Sequence, residues 1–82
     1  MWLAQAHVRL KPGINDPQGQ VIKEALHSLG FADVAEVRVG KYMEIRIEGS
    51  GLREAEEQVE KMCRMLLANP VMENFEFQVS EI

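Results

Sequence analysis

One cysteine, three prolines and five aromatic side chains are all that this 82-residue chain offers of the residues that mark unusual scaffolds. A lone Cys63 excludes an internal disulfide and any multi-cysteine metal or iron–sulfur site. Bases are in the minority, nine against thirteen acids, giving a net charge of −4. That balance argues against nucleic acid or an anionic membrane as the main partner, because both need concentrated Lys and Arg. No apolar run nears the roughly 18–20 residues of a membrane span. The first residues carry no basic region followed by an apolar stretch, so no signal peptide and no membrane association are expected, and a cytoplasmic location is. What is present, 46% hydrophobic and 27% charged residues, suits a single domain over residues 1–82. A chain this short buries only about 60–65% of the surface that its unfolded form exposes. With disulfides and metal clusters excluded, a partner chain is the remaining source of support.

Breakers at Lys11-Pro12-Gly13, Asn15-Asp16-Pro17, Gly30, Gly40-Lys41, Gly49-Ser50-Gly51 and Asn69-Pro70 divide the chain into six segments. From Leu3 to Leu10, Ala4, Ala6, Val8 and Leu10 alternate with Gln5, His7 and Arg9, the period-2 pattern of a half-buried strand that Pro12 ends. Asp16 as N-cap and Pro17 at the first position open a helix. Val21, Ile22, Ala25, Leu26 and Leu29 form its stripe, Gly30 ends it, and Phe31 is expected to fold back onto the core. Ala35, Val37 and Val39 alternate with Glu36 and Arg38, and Met43, Ile45 and Ile47 with Tyr42, Glu44, Arg46 and Glu48. The pattern predicts two strands joined by a hairpin at Gly40-Lys41, with one long strand bent at Gly40 as the alternative. Leu52, Ala55, Val59, Met62 and Leu66 mark a second helix, with Ser50 as N-cap and Glu57/Lys61 and Glu60/Arg64 as i,i+4 pairs. Val71 to Val79 reads as a last strand with Phe75, Phe77 and Val79 inward. The order β-α-β-β-α-β is that of an α+β, ferredoxin-like sandwich: one four-stranded antiparallel sheet with two helices on one face.

That fold hosts many functions, so function has to come from sites. His7 and His27 lack a second ligand at metal-binding spacing and read as surface residues, one on the open sheet face and one on the polar side of the first helix. Cys63 beside the second apolar seam reads as packing, since a reactive thiol needs an electropositive neighbourhood. The charged face of the second helix, Arg53 to Arg64, reads as solvated, and Met1, Met65 and Met72 are the methionines open to a contact surface. Lys11 to Gly19 joins strand to helix with two prolines and two glycines. It contains neither GxxxxGK[ST] nor GxGxxG, so a rigid connector or a docking surface fits it better than a phosphate cradle. RNA binding would want exposed aromatics on the central strands, and only Tyr42 is offered. An acylphosphatase-type loop is missing as well. No catalytic residues are assigned.

The stretches Leu10-Lys11-Pro12-Gly13, Asp16-Pro17-Gln18-Gly19, Ala25-Leu26, Leu29-Gly30-Phe31, Val37-Arg38-Val39-Gly40-Lys41-Tyr42 and Leu66-Leu67-Ala68-Asn69-Pro70-Val71 run in order along nearly the whole chain. Together they resemble the PurS family, the small subunit of phosphoribosylformylglycinamidine (FGAM) synthase. Met43 and Met72 depart from the family's branched aliphatic residues, and Asn74-Phe75 from its acid and tyrosine. The resemblance implies a purine-biosynthesis ligase complex that converts formylglycinamide ribonucleotide, glutamine and ATP, with magnesium, to FGAM. It implies that this chain is a non-catalytic subunit binding no cofactor itself. It would form a homodimer or tetramer, bridge the large synthetase subunit and the glutamine amidotransferase subunit, and assist ammonia transfer. Lys11, Pro12, Gly13, Asp16, Pro17, Gln18 and Gly19 are the expected contact region, with Arg38, Gly40, Lys41, Asn69 and Pro70 as further interface candidates. A free-standing amino-acid- or nucleotide-sensing regulatory domain is the alternative with the same fold order.

Overall fold

A computed structural model describes residues 1–49 and 51–82. The elements run β1 (Trp2–Leu10), α1 (Pro17–Ser28), β2 (Gly40–Ile47), α2 (Leu52–Met62), a π-helical turn (Cys63–Leu67) and β3 (Glu73–Glu81). β1 lies at the centre of an antiparallel sheet of order β2-β1-β3. Its alternation sets the register: Ala4 faces Ile45 and Val79, and Ala6 faces Met43 and Phe77. Ala4, Ala6 and Val8 are fully buried on that face. The small size of Ala4 and Ala6 lets α2 approach closely, and Ile47, Val59 and Cys63 join these two in one buried cluster, with Trp2, Met62, Phe75 and Phe77 packed around it.

Local chemistry explains the ends of α1. Asp16 caps it by accepting from the Gly19 N–H, Pro17 opens it, and Gly30 follows in the left-handed region at φ 101°. The Ser50 cap lies outside the described residues; Gly51 stands at the N-cap position of α2. Of the two expected ion pairs on α2, Glu60–Arg64 closes at 2.8 Å. Its buried seam is Ala55, Val59 and Cys63, a cleaner i, i+4, i+8 line than the expected one. Leu52 and Leu66 are exposed instead, Leu66 because the Ala68 N–H reaches back five residues to the Cys63 carbonyl and widens the last turn.

Three expectations are corrected. The sheet has three strands, not four, because Ala35–Val39 joins no ladder. Gly40-Lys41 is not a hairpin turn, nor a bend within one long strand: Gly40 starts β2, already opposite Arg9, and its φ is not positive. A glycine is needed there for close approach, since a Cβ would meet the Val8 carbonyl oxygen at 2.7 Å. The two helices do not share a sheet face. α2 packs on β3 and β1, whereas α1 makes no substantial contact with the sheet, and Phe31 is exposed rather than folded onto the core. The molecule is correspondingly long, 51 × 27 × 14 Å. Its radius of gyration is 16.4 Å, against about 12 Å for a compact chain of this length.

Candidate interaction surfaces

The expected contact residues lie far apart in sequence, yet the fold brings most of them to one end of the sheet, where β1 ends and β2 and β3 begin. Pro12 and Gly13 turn the chain there, Gly13 at φ 85°. The Lys11 N–H donates to the Met72 carbonyl at 2.8 Å, and its ammonium donates to the Pro70 carbonyl at 3.0 Å. Arg38 uses both ends of its guanidinium: Nη1 donates to the Ile14 carbonyl at 2.8 Å and Nη2 to the Lys11 carbonyl at 3.2 Å. Lys41 donates to the Leu67 carbonyl at 3.1 Å and stands 3.7 Å from Glu73. Asn69 closes its own turn, its side-chain oxygen accepting from the Val71 N–H at 2.9 Å while its N–H donates to Glu73 at 2.7 Å. The cations of this region thus spend hydrogen bonds on loop carbonyls and hold the loops in one shape.

Asp16 is the hinge pin. One carboxylate oxygen accepts from the Gly19 N–H and the other from the Val39 N–H, each at 2.8 Å. The bonds from Val39 and Gly19 hold its carboxyl below the usual value of 3.8; partial burial opposes them, and the Arg38 charge helps. Gly19 is required because a Cβ there would meet the Val37 carbonyl oxygen. The N-terminus of α1 is therefore clamped to residues 37–39, and His27 at its other end is 2.8 Å from the Val34 carbonyl. The helix and the returning segment 31–39 form one stiff arm. Pro12, Pro17 and Gln18 sit exposed along its base.

Beside this end lies a cleft of about 470 Å³ bordered by Lys11, Arg64, Glu60 and Glu73, with Cys63 and Phe75 lining it. Two cations face two carboxylates, so the cleft carries no net pull on an anion. The Arg64 guanidinium sits 5.6 Å over the Phe75 ring. Burial pushes the Cys63 thiol above its usual value, and Glu60 adds to it, so this cysteine is a packing residue. Across the sheet, His7 lies 4.8 Å from Tyr42, whose hydroxyl accepts from Gln5 and donates to Glu44. Among the described residues, no three His, Cys, Asp or Glu side chains are placed to hold a metal ion, and no helix is long and apolar enough to cross a membrane.

Of a second surface, sequence reasoning marked only Met65. Ile45, Met62, Met65, Leu66 and Leu67 line an almost wholly apolar groove of about 510 Å³ between the end of α2 and β2. The signal was the residue pair Met65-Leu66 at the helix end, hidden by assigning Leu66 to the core.

Fold and surfaces together define a small α+β domain with three exposed features: a braced polar end, a projecting helix and an open apolar groove. The sequence profile described as PurS, phosphoribosylformylglycinamidine (FGAM) synthase, matches residues 3–81. The chain is 43% identical to phosphoribosylformylglycinamidine synthase subunit PurS of Bacillus subtilis over all 82 residues and 96% of that subunit. A solved structure of the B. subtilis protein superposes with a TM-score of 0.89 over 99% of this chain and 100% of that one. PurS of Methanocaldococcus jannaschii, a subunit of formylglycinamide ribonucleotide amidotransferase in the purine biosynthetic pathway, superposes equally well at 40% identity, covering 100% and 99% of the two chains. A chain in the structure of PurLQS from Thermotoga maritima matches at 30% identity and a TM-score of 0.84, covering 98% of this chain and 99% of that one. The chain belongs to the PurS family of FGAM synthase subunits.

Proposed function

We propose that this chain is the non-catalytic small subunit of an FGAM synthase, holding the ATP-dependent synthetase subunit and the glutaminase subunit in one assembly and assisting ammonia transfer between them. The observation that carries the reading is end-to-end similarity to PurS subunits, including a chain of the PurLQS structure. The chemistry of the chain agrees. Lys11, Arg38 and Lys41 donate to loop carbonyls and the Cys63 thiol is buried, which suits a chain that acts through shape and contact. In this reading ATP and magnesium are held by the large subunit and not by this chain. The complex works in the cytoplasm, and the chain self-associates within it.

The braced end of the sheet is the proposed contact region, with Lys11, Pro12, Gly13, Asp16, Pro17, Gln18 and Gly19 at its centre and Arg38, Gly40, Lys41, Asn69 and Pro70 framing it. Nothing favours the free-standing sensor reading. Reconstitution tests the proposal. The two larger subunits are assayed for FGAM formation from glutamine and from ammonium salt, with and without this chain. Omission is expected to abolish glutamine-dependent synthesis, and unchanged glutamine-dependent turnover would overturn the reading.

A further inference from the structure

We propose that the last turn of α2 is a two-register switch. It closes either as the π-helical turn of this structure, which seats Leu67 on the core, or as an ordinary α-turn, which seats Leu66 there, and Lys41 sets which one forms. The inference goes beyond the assembly role and does not rest on it.

The two registers are written in the sequence. α2 and the residue after it bury Ala55, Val59 and Cys63 in one line. Carried on at α-helical spacing, that seam next meets position 66, about 20° from Val59 around the axis. Leu66 is instead 82% exposed. The reason is one bond. The Ala68 N–H donates at 2.9 Å to the Cys63 carbonyl, five residues back, where an α-turn takes the Arg64 carbonyl, four back. Such a turn holds one residue more, so the place on the seam passes from 66 to 67. Leu67 is half-buried and packs on the core cluster, and Ala68 after it is buried. Both positions carry leucine. The seam is therefore filled by the same side chain in either register, and the two differ little in apolar burial.

A π-helical turn is rare, so something has to favour it. From the second position of β2, the Lys41 ammonium donates to the Leu67 carbonyl at 3.1 Å and stands 3.7 Å from Glu73. The Glu73 side chain, only 16% exposed, also accepts from the Asn69 N–H at 2.7 Å. These bonds fix where the turn ends. In the α register the Leu67 carbonyl rotates with its residue and leaves Lys41. A charge-assisted bond is roughly twice as strong as a neutral one, enough to choose between two otherwise matched registers.

The register decides what the surface offers. In the π register Met65 and Leu66 stand out along the apolar groove; in the α register Leu66 turns inward and the groove loses one wall. Lys41 belongs to the braced end. A contact that engages its ammonium there weakens its hold on Leu67 and is felt at the groove. The linkage is reciprocal, so an occupant that holds Leu66 outward strengthens the Lys41 bond.

The test reads the register of the whole chain directly. Scalar coupling across the hydrogen bond pairs the Ala68 amide nitrogen with the Cys63 carbonyl carbon in the π register and with that of Arg64 in the α register. The Cys63 coupling is expected in the native chain. Leu67→Ala removes the leucine that only the π register seats. It is expected to move the coupling to Arg64 and to bring the Leu66 methyl groups within NOE range of Val59. Lys41→Met is expected to raise the α fraction, read by amide relaxation dispersion over residues 64–68, at least about tenfold, as loss of a hydrogen bond from a charged donor does. Leu66→Ala leaves the α register no leucine to seat, so it is expected to keep the Cys63 coupling and to cancel the effect of Lys41→Met in the double variant. A lysine that merely stiffens the turn shows no such dependence. A folded Leu67→Ala chain that keeps the Cys63 coupling overturns the switch. So does a Lys41→Met chain whose α fraction is unchanged, or rises equally with Leu66→Ala. If Leu67→Ala loses its circular dichroism spectrum, the two Lys41→Met chains decide. No partner subunit enters these measurements, so the bridging role is judged separately.

Discussion

The two helices of this chain are alike in sequence and opposite in fate. Each is amphipathic, each follows a strand, and each has a stripe of medium-sized apolar side chains. α2 buries Ala55 and Val59, with Cys63 just beyond it, against β1 and β3, whereas α1 leaves Val21, Ile22 and Leu29 in solvent. The difference comes from what precedes and follows each helix. Asp16 and Gly19 bind the start of α1 to its own return segment, so the pair leaves the sheet as a stiff arm. An amphipathic pattern states that a helix needs an apolar partner surface. It does not state which chain supplies that surface.

The sharpest way to break the comparison is a charge placed on equivalent stripes. Val59→Asp puts an unpaired carboxylate where no solvent reaches, and we expect it to cost at least about 4 kcal/mol and to abolish cooperative folding in a urea titration. The same charge at Leu29 is expected to leave the secondary structure intact. If Leu29→Asp unfolds the chain as Val59→Asp does, the two helices are not different in kind.

A smaller effect sharpens the role of the clamp. Gly19→Ala forces a methyl group against the Val37 carbonyl oxygen, so the arm must shift away from residues 37–39. Faster amide exchange at Val39 is the expected signature, with β1 and β3 amides unaffected. Equal exchange in both proteins would contradict the clamp.

The smallest effect is the acid response of Asp16. Its carboxyl titrates lower in the folded chain than the ordinary 3.8. The stability it provides is therefore complete above the unfolded value and is lost as the pH falls through the lower folded value. Melting temperatures of the native chain and Asp16→Asn, compared between pH 7 and pH 3, are expected to differ by several degrees at neutral pH and to converge in acid. A gap that widens in acid would reverse the sign and refute the assignment.

Much of this architecture was legible in the residues. The alternation through Ala4, Ala6 and Val8 located β1 to within one residue, and Asp16, Pro17 and Gly30 marked the ends of α1. The braced end was legible as motifs, although only the fold shows Lys11 meeting Pro70, or Arg38 meeting Ile14. The expected second strand failed for a specific reason. Ala35–Val39 alternates like a strand, but strands need a neighbour, and the Asp16 side chain takes the Val39 N–H that a neighbour would take. Leu66 failed differently: helical periodicity placed it on the buried seam, and the π-helical turn at Cys63–Leu67 moved it off. Both failures fall on surfaces that the chain leaves open, where local pattern is real and its partner lies outside the local sequence.

The most direct test of the contrast between the helices is an isotope-filtered NOE measurement that reads contacts within one copy of the chain. Cross-peaks from the Val59 methyl groups to Ala4 and Ala6, with none from the Val21 and Leu29 methyl groups to the sheet, are the predicted result. Cross-peaks within one copy between Val21 or Leu29 and Ala4, Ala6 or Ile45 would contradict it.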